Sequence, residues 1–240
     1  MFTVMEERKM EGKGVVIAMG SRDENLAASI ETACVKKGYR VYRSEANTQA
    51  QVEAFYKTLE EQGIFAEQCI YIPLPLKEVS LFDADFLDYM SQEIDGGLVN
   101  GTWWIQQSCS YFKRNGYAGT VTVLNHIPSV VPDMKYSYCC IQEAALGNLV
   151  RVAAMDTYGN TDVRINMVTF GWRETDAGEK AWFEEMQEIY GGAKAPILKL
   201  VSNEEVADTC TAAASLSGMN GANLFVDGGY SVSRTIRART

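Results

Sequence analysis

Six cysteines and a single histidine are the side chains in this sequence that are best suited to nucleophilic or metal chemistry. The cysteines are Cys34, Cys69, Cys109, Cys139, Cys140 and Cys210. None of them forms a C-x-x-C pair, and with His126 as the one imidazole the sequence does not predict a zinc site. Neighbouring cysteines rarely bridge, because the disulfide geometry strains the backbone, so Cys139 and Cys140 do not indicate a redox pair. We therefore expect six reduced thiols, most of them packed as small apolar groups.

Two adjacent carboxylates, Asp23 and Glu24, follow the apolar run 14–19 and Gly20. They either bind a cation or are first-turn acids of a helix, where the helix dipole stabilises negative charge. We favour the second interpretation, because a helical pattern begins at this point. The Asp-Gly-Gly sequence at 227–229 is likewise interpreted as a structural turn after the last strand.

The elements that would position these side chains alternate between short apolar runs and longer helical segments. Strands are predicted over residues 14–19, 40–43, 69–72, 119–124, 163–168 and 223–226. Helices are predicted over about residues 24–37, 49–62, 98–113, 137–157 and 202–216, the last opened by an S-x-x-E capping box. Strands that alternate with helices indicate a parallel sheet covered on both faces. Right-handed crossovers then give a doubly wound, Rossmann-like α/β domain with about six strands.

Length and composition limit the classes of function. The chain has 240 residues, 47% of them hydrophobic, which suits one large domain over residues 1–240. The formal net charge of −9 repels phosphate backbones, so we do not expect nucleic acid as a partner. No apolar run is long enough to suggest a membrane span, and the first residues show no secretory signal. A cytoplasmic location is therefore expected.

Three spaced stretches in the C-terminal third resemble the short-chain dehydrogenase/reductase family. The segment VRINMVTFGW at 163–172 resembles the family's I-R-V-N-x-V-x-P-G-W, with Phe170 in place of the proline. The segments at 196–207 and 220–229 resemble its P-L-x-R and P-E-E-V-A patterns and its G-x-x-x-x-V-D-G-G ending. The resemblance implies a Rossmann-like fold, whereas function has to be argued from the site.

The resemblance also implies where the family's catalytic side chains would lie. The family's active Tyr and Lys are four residues apart on one helix and precede Ala-Ala, and the Lys lowers the Tyr pKa for general acid–base catalysis. In this chain Glu143 occupies the Lys position and Cys139 the Tyr position. The family's Ser corresponds to His126 and its Asn to Leu98. All four roles are changed, so no family catalysis is expected, and Glu143 should raise the pKa of a neighbouring acid.

Two other interpretations of these positions remain open. A shift of register by one places Tyr138 and Gln142 at the Tyr and Lys positions, which restores the phenol without the ammonium. Alternatively, His126 and Cys139 lie close together and, with Glu143 as the orienting carboxylate, form a repurposed cysteine-dependent active site. The simplest interpretation is that the residues at these positions have changed by drift, without selection for any new chemistry.

The cofactor end of the family pattern is equally changed. The T-G-x-x-x-G-x-G loop, whose backbone approaches a diphosphate at a helix N-terminus, reads MGSRDENL at 19–26. Gly20 alone survives, Glu24 replaces a glycine, and the family's N-N-A-G becomes PLPL at 73–76. One βα unit is also missing near the N-terminal edge, because the second strand leads directly into the helix pattern at 48–55. We therefore expect this chain to bind no cofactor.

The surfaces that family members use for assembly are better preserved than the site. The family pairs through two long helices, here 98–113 and 137–157, which keep small and apolar residues. On the first of them, the side chains of Trp103 and Trp104 should point apart, one onto the sheet and one toward an interface. The region 174–192 corresponds to the family's substrate lid and either closes over a pocket or packs on a partner.

These features favour a non-catalytic subunit that assembles with an active NAD(P)-dependent short-chain dehydrogenase through helices 98–113 and 137–157. NAD(P) would then be bound by the partner, whose structure or substrate pocket this chain would support. Hydroxy(phenyl)methylsuccinyl-CoA dehydrogenase combines an active and a degenerate subunit of the family, and the chain resembles the degenerate kind. The alternatives are an enzyme with altered chemistry at His126 and Cys139 and a ligand-binding homodimer.

Overall fold

A single parallel sheet runs through the computed structural model. The described residues are 13–20, 23–133, 135–159, 162–175, 180–181, 183–185, 188 and 199–232. The strands are β1 (Gly14–Met19), β2 (Arg40–Ser44), β3 (Ala66–Ile72), β4 (Thr120–His126), β5 (Arg164–Phe170) and β6 (Asn223–Val226). Neighbouring strands are parallel, in the order β2-β1-β3-β4-β5-β6. The predicted six-stranded, doubly wound sheet is therefore confirmed.

Two of the helices end or begin at recognisable sequence signals. They are α1 (Glu24–Lys36), α2 (Gln49–Glu61), α3 (Phe86–Glu93), α4 (Asn100–Asn115), α5 (Ser137–Thr157) and α6 (Asn203–Ser215). Gly38, with φ of +83°, follows the end of α1, and Ser202 and Glu205 form the predicted capping box at the start of α6. The sequence pattern does not predict α3 or the π-helical turn Asp95–Val99 that precedes α4. The helix expected from residue 98 accordingly begins as an α-helix at Asn100.

Two apolar layers enclose the sheet. On one face α1 and α6 pack against side chains such as Val15 and Ile17, and on the other α2, α4 and α5 pack against Val16 and Ala18. Successive side chains of a strand point to opposite faces, so a strand covered on both sides is apolar throughout. This explains why the uninterrupted run of β1 is buried at every position.

The strand β2 forms one edge of the sheet, beyond β1. A single strand on this side agrees with the expectation that one βα unit of the family is missing here. Arg43 on β2 pairs with two acids of α1, Glu24 at 2.9 Å and Glu31 at 2.6 Å. Charged side chains on an edge strand discourage pairing with another chain, which suits the position of β2.

The two adjacent tryptophans of α4 differ in burial. Trp104 is fully buried, and its Nε1 donates to the Ala46 carbonyl at 3.1 Å. Trp103 is only partly buried against the same layer. The use of Trp103 at an interface stays a prediction.

Candidate functional site

A buried histidine–glutamate pair lies where β4 ends. His126 is the last residue of β4, and Glu143 lies in the first half of α5. His126 Nδ1 lies 2.5 Å from Glu143 Oε1, and the His126 backbone N–H donates to Glu143 Oε2 at 2.7 Å. Both side chains are buried, so these contacts replace water around the carboxylate. The two-point contact fixes the imidazole and ties α5 to the end of β4.

The imidazole also packs against β5. The ring of Phe170, the β5 residue paired with His126, lies 4.6 Å away between centroids in a tilted arrangement. The Arg173 guanidinium lies 5.4 Å from the centroid of the same phenyl ring. The phenylalanine that replaces the family's proline therefore supplies a ring that His126 and Arg173 both contact.

Arg173 joins the start of two helices. Its Nη1 donates to Asp23 Oδ2 at 2.6 Å and to Asn203 Oδ1 at 3.2 Å, and the arginine is nearly fully buried. Asp23 is the N-cap of α1, where its Oδ1 accepts from the Leu26 N–H at 3.1 Å. Asn203 is the first residue of α6. One arginine thus connects the loops after β1 and β5 with the start of α6.

Together these contacts form what we call the crevice chain: Asp23, Arg173, Phe170, His126 and Glu143. It extends along the carboxyl ends of the strands, from the residue that caps α1 to the helix that follows β4. In open α/β sheets, ligands bind outside the carboxyl ends of the strands, where the chain connections change direction. In this protein that region contains the ion pair between Arg173 and Asp23, the rings of Phe170 and His126, and the buried carboxylate of Glu143.

Gly20, the one remnant of the family's glycine loop, has a packing role. A Cβ at this position would lie 2.6 Å from Tyr71 Oη and 2.8 Å from the Ile72 carbonyl oxygen. Tyr71 is buried on β3, and its hydroxyl donates to the Gly97 carbonyl at 3.2 Å. Tyr71 therefore fills the space beside the end of β1, and glycine is required there independently of any ligand.

Cys139 makes its polar contacts with the backbone of Lys77. The Lys77 N–H donates to Cys139 Sγ at 3.5 Å, and the thiol donates to the Lys77 carbonyl at 3.6 Å. Burial, reinforced by the charge of Glu143, raises the pKa of the Cys139 thiol to about 11. Among the described residues, the hydrogen bonds of Cys139 go to Lys77 and that of the His126 ring goes to Glu143, so none joins the thiol to the imidazole. A cysteine–histidine pair needs the base in contact with the thiol, and a cysteine-dependent site stays a prediction.

Tyr138, the candidate from the shifted register, is likewise held in its neutral form. Its hydroxyl donates to Gln142 Oε1, and its ring packs edge-on against Tyr89 with 5.1 Å between centroids. Burial, followed by the charges of Tyr89 and Glu93, raises the pKa of Tyr138 above its ordinary value. A phenol without a cation beside it is a weak general acid–base group at neutral pH.

The position expected for the family's Asn is occupied by an apolar side chain at a distorted turn. Leu98 is partly buried against the α2/α4/α5 layer, within the π-helical turn 95–99. Sequence reasoning missed Asn100, the buried first residue of α4, whose Oδ1 has no hydrogen-bond partner among the described residues. A buried amide oxygen without a partner is uncommon. The sequence signal for this residue is an Asn directly before Gly101 at the start of a helix.

The acidic residues after β1 and β6 are structural. Asp23 caps α1 and pairs with Arg173, while Glu24 in the first turn pairs with Arg43, so guanidinium groups take the places that a cation would need. Asp227 Oδ1 accepts from the Gly229 N–H at 2.9 Å, which makes the predicted turn after β6. In the described part of the chain, no cluster of three or more His, Cys, Asp or Glu side chains is arranged to hold a metal ion. None of the helices in the described residues is long and apolar enough to cross a membrane.

A cavity of about 490 Å³ lies beside α5, and Glu143 of the crevice chain is one of its lining residues. Its walls include Asn125 at the end of β4, Gly147 and Arg151 on α5, and the turn 221–223 before β6. In this wall, the side-chain amide of Asn125 donates to the backbone carbonyl of Glu143 at 3.2 Å. The cavity is therefore bounded by the same helix that holds Glu143.

Most of the expected lid, residues 174–192, lies outside the described residues. Within it, Phe183 is described and packs, partly buried, against the cluster of Trp172, Leu200 and Tyr230. Closure of this region over a pocket stays a prediction.

The chain matches a family model in sequence and known dehydrogenases in fold. The family model described as enoyl-(acyl carrier protein) reductase matches residues 84–231, so the match begins after β3. No curated protein sequence matches the chain at a significant level. Sorbitol-6-phosphate 2-dehydrogenase from Erwinia amylovora superposes with a TM-score of 0.75 at 16% identity, over 90% of this chain and 99% of that chain. A small-chain dehydrogenase superposes with a TM-score of 0.73 at 17% identity, over 92% of this chain and 99% of that chain.

These structural likenesses concern the fold, since fold and chemistry separate readily at such identities. The family model covers more than half of the chain, including β4, α5, β5 and β6. The chain therefore belongs to the short-chain dehydrogenase/reductase family.

Proposed function

We propose that the chain is a non-catalytic member of this family that binds no nicotinamide cofactor and assembles with an active NAD(P)-dependent dehydrogenase. Its role in the assembly is to support the structure or the substrate pocket of the active subunit. The observation that carries this proposal is the crevice chain, above all the buried contact between Arg173 and Asp23.

The argument against cofactor binding starts from the N-terminus of α1. In dinucleotide-binding folds the diphosphate binds at this helix end, next to backbone N–H groups and positive dipole charge. Here Asp23 already accepts from one of those N–H groups and pairs with Arg173. A diphosphate would meet the carboxylates of Asp23 and Glu24 at close range, and like charges repel most strongly where water is excluded. The residues present therefore do not fit the diphosphate of NAD(P).

The argument against catalysis rests on the helix α5. The position of the family's Lys holds Glu143, which is fully engaged with His126. The thiol of Cys139 and the phenol of Tyr138 both have raised pKa values, opposite to the change that activates a base. Neither candidate for the family's tyrosine is therefore activated as a general acid–base group.

The argument for assembly rests on an exposed stripe of α5. The residues Ile141, Ala144, Asn148, Val152 and Met155 recur at intervals of three and four, which places them on one helical face. All five are exposed, and Met155 is 76% accessible. Exposed apolar stripes on a helix support helix–helix pairing with a partner. A homologous active subunit would offer an equivalent helix.

The proposed partner is an active short-chain dehydrogenase, and no particular enzyme of that class is proposed. A subunit of the kind found in hydroxy(phenyl)methylsuccinyl-CoA dehydrogenase would need a partner that recognises an acyl-CoA. The described residues of this chain that line the crevice offer no open cationic group for such a ligand, since Arg173 is paired with Asp23.

The first test is binding of NADH and NADPH to the purified chain by isothermal titration calorimetry, with an active family member as the positive control. We expect no binding at millimolar cofactor. Micromolar binding would overturn the proposal and would make Tyr138 the leading catalytic candidate.

The second test is coexpression with an active short-chain dehydrogenase encoded next to the chain, followed by size-exclusion chromatography with light scattering. We expect a mixed oligomer that is lost in Val152→Glu on the α5 stripe. Val35→Glu is the matched control, because Val35 on α1 is also an exposed valine, at 56% accessible against 45% for Val152. If both variants assemble like the unmodified chain, α5 is not the interface.

A homodimer that binds a small molecule is the second candidate, because the α5 stripe is self-complementary. An antiparallel pair of α5 helices with Asn148 on a twofold axis would place Ile141 opposite Met155 and Ala144 opposite Val152. Sedimentation of the purified chain separates the candidates. A homodimer that does not exchange with an active dehydrogenase would favour this second function and a ligand in the cavity beside α5.

A further inference from the structure

The segment between β3 and α4 exposes three large apolar side chains close together in sequence. Phe82 is 93% accessible, Leu87 is 68% accessible and Leu81 is 53% accessible. Among the described residues, no ring contact or side-chain hydrogen bond involves them. Isolated exposed apolar residues are ordinary, but three within residues 81–87 form a patch of the kind that marks a protein contact.

The turn that carries Phe82 has a fixed backbone. Asp83 Oδ2 accepts from the Ser80 N–H at 2.8 Å, and the Asp83 N–H donates to the Ser80 carbonyl at 3.1 Å. The Phe86 N–H then donates to the Asp83 carbonyl at 3.1 Å, which leads into α3. A phenyl group presented on an ordered turn loses little conformational entropy when it is bound.

The segment is anchored at two points, Val79 and Phe86, to the start of α5 and to the residue pair before it. The Val79 N–H donates to the Lys135 carbonyl at 2.8 Å, and the Ser137 N–H donates to the Val79 carbonyl at 3.0 Å. Phe86 is buried with Tyr138 and Cys139. The inward-facing Phe86 thus holds the segment in place, while Phe82 and its apolar neighbours face solvent.

The surroundings of the patch are strongly acidic. Residues 78–95 contain no lysine or arginine. Their acids are Glu78, Asp83, Asp85, Asp88, Glu93 and Asp95. Lys77, which directly precedes this segment in sequence, lies over the ring of Tyr89 at 4.0 Å from its centroid. A surface that is apolar at its centre and negative around it complements a partner with the opposite charge.

We propose that residues 78–95 form a docking surface for a protein partner that offers an apolar pocket rimmed by lysine and arginine side chains. Phe82 is the anchor that enters the pocket, and the acidic residues select the partner by charge. This surface shares no residue with the exposed stripe of α5. The inference does not depend on the partner being a dehydrogenase.

The test uses a defined probe, a fluorescein-labelled amphipathic helical peptide of leucine, arginine and lysine that stands in for the basic, apolar partner surface. Fluorescence anisotropy measures its binding to the full chain at roughly 0.1 M and 0.5 M salt. We expect saturable binding that Phe82→Ser weakens by about tenfold or more, as for a buried aromatic anchor. Asp88→Asn should weaken binding by about threefold at low salt and have little effect at high salt.

Val35→Ser is the matched control, because it removes an exposed apolar side chain from α1 at the same net charge. Equal peptide affinities of Val35→Ser and Phe82→Ser would mean that Phe82 is not the anchor, and this result would overturn the proposal. Phe82 is exposed, so its replacement should leave the thermal unfolding midpoint unchanged, which separates loss of docking from loss of fold.

Two other occupants of the surface would also overturn the proposal. Concentration-dependent dimers that disappear in Phe82→Ser would identify a second copy of the chain as the occupant. Sedimentation with phosphatidylcholine vesicles that depends on Phe82 would identify a lipid surface. Amide chemical-shift changes confined to residues 78–95 on addition of the peptide would support a protein partner.

Discussion

Arg173 Nη1 lies 2.6 Å from Asp23 Oδ2, and this contact joins the start of α1 to the segment that follows β5. The side chain of Arg173 is 9% accessible and that of Asp23 is 18% accessible. A buried ion pair is costly to break from one side, because the remaining charge stays desolvated and without its partner. The residues that close the crevice are therefore also expected to stabilise the fold.

Replacing Arg173 by alanine should lower the free energy of unfolding by about 3 kcal/mol, because the Asp23 carboxylate would remain in a largely buried position. Urea unfolding followed by circular dichroism measures this change. Arg43→Ala is the matched control, since it also removes an arginine that pairs with α1. Its partners Glu24 and Glu31 are exposed, so this variant should lose less than about 1 kcal/mol. Equal losses in the two variants would contradict the structural role of the Arg173 contact.

Glu143→Lys restores the residue type of the family's catalytic position, yet we expect it to destabilise the chain without creating activity. The His126 N–H and imidazole would both lose their acceptor, and a second cation-forming group would be placed beside the ring. The loss should be about 3 kcal/mol, whereas Glu143→Gln, which keeps a carbonyl acceptor, should lose less. Urea midpoints and NADH oxidation assays with candidate carbonyl substrates measure the two effects. Reductase activity in Glu143→Lys would show that the remainder of the family site is intact.

The strands and most helices could be predicted because local patterns report burial directly. The run at 14–19 is apolar at each position since β1 is covered on both faces. The helix α3 was missed because it has eight residues and buries only Phe86, which leaves no periodic stripe to recognise. The π-helical turn before α4 has no sequence signal that sets it apart from a regular helix start.

The site could be predicted only in part. The resemblance identified His126, Cys139 and Glu143 as the altered positions, and the structure joins His126 with Glu143. It does not join Cys139, because on α5 the thiol faces the backbone of Lys77. The contact between Arg173 and Asp23 links residues 150 positions apart in sequence, and side-chain direction at that range is decided by tertiary packing.

The thiol of Cys139 should react slowly with iodoacetamide at neutral pH. Since its pKa is raised to about 11, the reactive thiolate is a small fraction at pH 7 and should grow roughly tenfold per pH unit up to about pH 10. Isotope-coded alkylation with mass spectrometry measures the rate at each cysteine, with the urea-unfolded chain as the reference in which burial is removed. A Cys139 rate above those of the other five cysteines, levelling off below pH 9, would revive an enzyme that uses this thiol.

The close approach of Gly20 and Tyr71 can be tested by a double-mutant cycle. Gly20→Ala would place a methyl group 2.6 Å from Tyr71 Oη, so we expect a loss of about 2 kcal/mol from overpacking. Tyr71→Phe removes that oxygen together with its hydrogen bond to the Gly97 carbonyl, and should be destabilising by about 1 kcal/mol. The double variant should lose less than the sum of the single losses, because the methyl group no longer meets the hydroxyl. The recovery should be incomplete, since the Ile72 carbonyl oxygen would still lie 2.8 Å from the new methyl group. Additive losses in urea unfolding would mean that Tyr71 does not limit the space at position 20, and the glycine would then need another explanation, including a ligand at the crevice.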